Sequence, residues 1–182
     1  ISSMNRAETT RFLGDLLKER LGFRSYWSRE VSIDYGTNRV KRVDFMQFVP
    51  PGVIYPSEIE KGIFICYEVK SCREDVYSGN GLNFLGEKNY IITTMQCYKE
   101  ILPDINSGKL WKHIQECNPE SLVQYGVMVP VPIGNQIIDE YENPTELTTD
   151  KMWELKVIIP CRQNGRKRST TELLFCMLRS GK

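Results

Sequence analysis

The sequence predicts an α/β domain in which a central mixed β-sheet is flanked by α-helices, and three observations carry that reading. Segments of helical and strand periodicity follow one another along the chain, as in a sheet with helices on its faces. Residues 62–69 are apolar at both alternating sets of positions, which belongs in the middle of a sheet covered on both sides. The chain has 182 residues, 41% of them hydrophobic, enough for one sizeable core and too few for two comfortable ones; residues 1–182 are therefore read as one domain.

Taken in order, residues 5–21 come first. Phe12, Leu13, Leu16, Leu17 and Leu21 recur at spacings of three and four, and Gly22 follows directly, so an amphipathic helix with a C-terminal stop is expected. A strand is expected over 25–34, ending in the turn-rich run Asp34, Tyr35, Gly36, Thr37, Asn38. A second, over 40–49, is closed by Pro50, Pro51 and Gly52, because proline removes ladder donors. After the strand over 62–69, further strands are expected at 90–94, 125–131 and 155–160. Helices should occupy parts of 95–117 and the stretch 170–179. The acidic run 139–150 reads as a solvated loop.

Composition narrows the function classes. Lys and Arg number 24 against 23 acids, a net charge of +1, so any attraction to a polyanion must come from a local patch. Six cysteines contain no C-x-x-C pair, and His113 is the sole histidine, so a structural zinc site has no support in the spacing. Cys66, Cys97, Cys161 and Cys176 lie in apolar stretches, where reduced thiols act as small buried hydrophobes; a cytoplasmic setting is expected. The sequence has no run of about 18 apolar residues and no secretory signal pattern, so no membrane partner is expected.

Glu68-Val69-Lys70 is the tripeptide to weigh. Acid-x-Lys patterns arise by chance about once or twice in a chain of this make-up, and this one holds two, Glu68/Lys70 and Glu154/Lys156. Context separates them. The period of two puts Phe64, Cys66, Glu68 and Lys70 on one strand face and Ile63, Ile65, Tyr67 and Val69 on the other. Two charges then share one side at the end of an apolar strand, where burial is costly unless a cation or a phosphate pairs with them.

If the strands over 40–49 and 62–69 form a hairpin centred near Pro56, Asp44 faces Glu68; the connection is too long to fix that register. Two adjacent carboxylates call for a hard divalent cation, Mg²⁺ or Mn²⁺, with the Val69 carbonyl as a further ligand. Lys70 would stand by to orient a water or to stabilise charge on phosphorus. An ion-pair cluster at a sheet edge is the alternative.

The run Val43-Asp44-Phe45 followed by Ile65-Cys66-Tyr67-Glu68-Val69-Lys70-Ser71 resembles the core motif of the PD-(D/E)XK nuclease superfamily. Continuing through Asp75, Gly81, Asn83-Phe84, Gly86, Lys88-Asn89-Tyr90 and then Tyr125-Gly126-Val127-Met128-Val129-Pro130, the pattern is similar to the MmcB-like group. The resemblance spans roughly residues 5–132, and 44–90 is its specific part. It implies a restriction-endonuclease-like core, metal ligation by Asp44 and Glu68, a catalytic Lys70, and a first-helix acid at Glu8. The activity implied is Mg²⁺-dependent hydrolysis of DNA phosphodiesters in a repair, phage or mobile-element setting, with a homodimer or a helicase as possible company. Val43 stands where many members carry proline. Some members keep the fold without cleaving, which leaves a nucleic-acid-binding module as the alternative.

Two basic clusters are candidates for phosphate contacts: Arg39, Lys41 and Arg42 beside Asp44, and Arg162, Arg166, Lys167 and Arg168 around Gly165. Lys88 is a further candidate. Solvated loops explain such runs equally well. Tyr35, Tyr77 and Trp111 are either stacking platforms or core aromatics. Asn83, Gly79, Gly81 and Gly86 either line a cleft or supply turn chemistry.

Overall fold

The computed structural model describes residues 3–52 and 55–181. The first helix, α1 (Arg6–Leu21), starts where Asn5 and Glu8 form a reciprocal capping box and stops at Gly22, whose N–H returns to the Lys18 carbonyl. Six strands follow the predicted order: β1 (Tyr26–Ile33), β2 (Lys41–Val49), β3 (Ile63–Val69), β4 (Lys88–Ile92), β5 (Gly126–Pro132) and β6 (Trp153–Ile159). A 3₁₀ turn, Pro56–Lys61, leads into β3. The helices between and after the strands are α2 (Arg73–Val76), α3 (Met95–Ser107), α4 (Lys109–Cys117), α5 (Ile137–Glu142) and α6 (Thr170–Ser180).

Strand order in space is the order in sequence. β1, β2 and β3 are antiparallel neighbours, β3, β4 and β5 run parallel, and β6 returns antiparallel to β5. Parallel neighbours need crossovers, and α2 with its long loop, then α3 and α4, supply them. The result is a mixed sheet between helices. On one face α1 packs Leu13, Leu17 and Leu21 against Phe45, Tyr67, Val69 and Ile92. On the other, α3 and α4 cover Ile91 and Val127, while α6 covers Val43, Met46, Phe64 and Cys66. β3 is therefore central and buried on both faces, as its apolar pattern requires.

The predicted hairpin register is the one formed. Phe45 pairs with Tyr67, Met46 with Cys66 and Phe48 with Phe64. Tilted contact of the Phe48 and Phe64 rings, 5.0 Å between centroids, anchors it at the far end. β2 breaks strict alternation at one place. Phe45 packs on the α1 side and Val43 on the α6 side, although ideal pleating would put both on one face. The switch falls at Asp44, beside Glu30 of β1, which has φ +51°.

The expectation of a solvated loop over 139–150 holds for residues 143–150, which are largely exposed, and is corrected at its start. α5 occupies its start, and Glu140 is buried, accepting from the Thr145 N–H and hydroxyl and from the Asn135 amide. Burial pushes its carboxyl up, but those donors outweigh burial and hold it below the usual range. Among the described residues all six cysteines are free thiols, and no helix is long and apolar enough to cross a membrane.

Candidate active site

Asp44, Glu68 and Lys70 meet in a cleft of about 750 Å³ at the C-terminal end of β3. β3 and the hairpin register bring the two acids together, so their positions follow from the strand pairing itself. The Asp44 carboxylate reaches along the sheet and accepts from the Val69 N–H at 2.9 Å. Glu68 is fully buried on the opposite strand. One of its oxygens accepts from the Asn83 N–H at 3.4 Å, and the other, Oε2, is buried with no donor.

Burial raises the Asp44 carboxyl above its ordinary range, against the Val69 N–H and the Glu68 carboxyl, which lower it. Glu68 is raised further, by burial first and by the Asp44 charge second, with Lys70 opposing. Two neighbouring carboxylates cannot both ionise cheaply, so the site resists carrying both charges without a counter-ion. A cation placed between them would be that counter-ion.

Lys70 is 5% exposed, and its Nζ donates to the Asn80 carbonyl at 2.6 Å and lies 3.8 Å from Asp75. Asp75 is in turn fixed by the Ser71 N–H and hydroxyl, at 2.9 and 3.1 Å. The loop over this corner turns through Gly79 and Gly81 at φ +84° and +77°. At Gly81 the absent side chain has a second purpose. A Cβ there would sit 3.2 Å from Glu68 Oε2 and 3.1 Å from Lys70 Nζ, filling the space both groups face. Asn118 holds the loop down by donating to the Gly81 carbonyl at 2.9 Å.

The donor set fits a hard divalent cation on two counts, an orphaned buried carboxylate oxygen and a space that only glycine leaves open. Asp44 and Glu68 could hold it, with Val69 at the same wall of the cleft. Among the described residues no group of three or more His, Cys, Asp or Glu side chains converges, so remaining ligands would be backbone, amide or water oxygens.

Other predicted residues fall elsewhere. Glu8 is exposed and does not line the cleft; its carboxylate accepts the Asn5 N–H in the helix cap, and Thr10 is the α1 residue that reaches the cleft. Lys41 and Arg42 line the cleft, although Lys41 pairs with Glu120 at 3.3 Å; exposed Arg39 precedes them and does not line it.

The second basic cluster is largely consumed internally. Arg166 pairs with Glu87 at 2.7 Å over the Phe64 ring. Arg168 bridges Asp34, Glu120 and Glu172. Their charges hold loops to the sheet, so neither guanidinium is unengaged. Lys167 and Arg162 are exposed beside them. Lys88 pairs with Ile65 at the start of β4, the opposite end of the strand from Glu68.

Glu154 and Lys156, the rival pair, bond each other at 3.6 Å on edge strand β6. Tyr77 donates to Asp104 and meets His113 at a tilt, Trp111 packs on the α3 and α4 cluster, and the exposed Tyr35 ring lies under Arg179. Asn83 does line the cleft, while Gly79 and Gly81 are also the turn residues; both readings of that loop hold. Thr10 and Asn118 gave no signal in the sequence, since neither sits in a pattern that chemistry would single out. No family model, curated protein or solved structure matches the chain.

Proposed function

We propose that the chain is a metal-dependent nuclease with a restriction-endonuclease-like core, hydrolysing DNA phosphodiesters in a repair, phage or mobile-element setting. The observation that carries this reading is a half-buried Asp44 carboxylate beside a fully buried Glu68 carboxylate that has one donorless oxygen, next to a nearly buried lysine and open to a cleft. Mg²⁺ or Mn²⁺ held by Asp44 and Glu68 would supply Lewis-acid polarisation of the phosphoryl group and a more acidic water.

The chain's own groups do the rest. Asp44 is kept in place by the Val69 N–H and Glu68 by the Asn83 N–H. Lys70 is held by the Asn80 carbonyl with donor capacity to spare. It is positioned to orient the attacking water or to stabilise the charge that develops on the phosphorus oxygens. Low exposure of Glu68 and Lys70 strengthens these interactions relative to water.

The test is cleavage of labelled linear, nicked, flapped and single-stranded DNA in Mg²⁺, Mn²⁺ or EDTA by wild type, Glu68→Ala and Lys70→Ala. Expected is metal-dependent cutting that falls at least about 100-fold in both variants. No cutting by wild type on any substrate would replace this reading with that of a DNA-binding module without cleavage.

A further inference from the structure

A second groove, of about 290 Å³, opens on the other side of Asp44, between α1 and the β1–β2 ribbon. It shares Thr10, Arg42, Asp44 and Val69 with the cleft, so the two adjoin with Asp44 at their common wall. The break in strand alternation at Asp44 and the left-handed backbone of Glu30, which also lines the groove, mark the place where the sheet surface turns from one side to the other.

Arg11 and Lys18 come from one face of α1, Arg29 from β1 and Arg42 from β2. Lys18 is paired with Asp15. The three arginines are exposed and carry no side-chain ion pair or hydrogen bond among the described residues. Most other arginines do: Arg6, Arg73, Arg166 and Arg168 pair with acids, and Arg20 and Arg179 donate to carbonyls. Three unpaired guanidinium groups therefore stand together at this groove, and among the described residues lining it Glu30 is the one acid not already engaged. Forked, weakly hydrated donors spaced along a groove suit a chain of phosphates.

Resting on the nuclease reading, we infer that this groove is the track for the sugar-phosphate backbone on one side of the scissile phosphate. The strand lies against Arg11, Arg29 and Arg42 and presents its phosphate to Asp44 at the common wall. The cluster around Gly165 takes no part.

Binding of labelled DNA in EDTA, measured by fluorescence anisotropy over a series of salt concentrations, tests this without requiring cleavage. Each phosphate contact contributes about 0.9 to the slope of log affinity against log salt for duplex and about 0.7 for single strands. Arg11→Ala/Arg29→Ala should lower the slope by about 1.8 or 1.4, respectively, and weaken binding at low salt. Arg11→Lys/Arg29→Lys should restore most of the slope. Arg162→Ala/Lys167→Ala removes equal charge at the other cluster and should leave it unchanged.

An unchanged slope in Arg11→Ala/Arg29→Ala, an equal loss in Arg162→Ala/Lys167→Ala, or no binding by wild type at low salt each overturns the track. If the slope depends on Arg11 and Arg29 but wild type never cuts in Mg²⁺ or Mn²⁺, the cleavage reading falls and the track stands.

Discussion

Glu68 is a carboxyl that folding makes costly to ionise. It is fully buried, its carboxyl is pushed up by that burial and by Asp44, and one oxygen has no donor. Below the carboxylate range of an unfolded chain, near pH 4, Glu68 is neutral in both folded and unfolded states and costs nothing. As pH rises beyond that range the unfolded chain ionises freely while the folded one resists, so metal-free stability is lost until the raised folded value is passed. Glu68→Gln should therefore be more stable than wild type at pH 8 in EDTA, by about 1–3 kcal/mol, and the gap should shrink toward pH 4. Added Mn²⁺ should raise the urea midpoint of wild type and not of the variant. Urea melts at several pH values, with and without metal, read both effects.

The elements are joined as much by charge as by apolar packing at one corner. Arg168, 15% exposed at its side chain, takes acceptors from the turn after β1, from the α4–β5 connection and from α6. Its guanidinium is held protonated by Glu120 and Asp34, and both carboxyls are pulled below their usual range by it. Removing it leaves three acids facing one another. Arg168→Ala should cost about 2–4 kcal/mol at low salt and distinctly less in 1 M salt, where the remaining repulsion is screened. Equal destabilisation at both salt concentrations in a chemical melt would mean that packing, not charge, holds this corner.

At the scale of the molecule, three apolar clusters share strands: β3 serves the α1 and α6 sides, and β4 serves the α1 side and the α3 and α4 side. No cluster can dissolve without exposing the back of a strand that another needs. Trp27 packs in the α1 cluster and Trp111 in the α3 and α4 cluster, so fluorescence follows both. Urea unfolding should give one transition, coincident by tryptophan fluorescence and far-UV circular dichroism. Separated transitions would show that the sheet comes apart in two units.

Strand order, the buried central strand and the face that Glu68 and Lys70 share were legible in the residues alone, because strand periodicity is local and a strand apolar on both faces has one place to go. The hairpin register that sets Asp44 beside Glu68 was a possible geometry that only strand pairing fixed, since the connection is too long to impose it. Which charges are free was likewise settled by the folded chain. Arg166 and Arg168 look like phosphate contacts until Glu87, Asp34 and Glu120, distant in sequence, are brought beside them. Arg11 and Arg29 look like ordinary surface residues until α1 and β1 lay them along one groove. Thr10, Asn118 and the buried Glu140 were invisible for the same reason: a polar side chain's role is set by its partners, and pairing across the chain is fixed only when the sheet and helices dock.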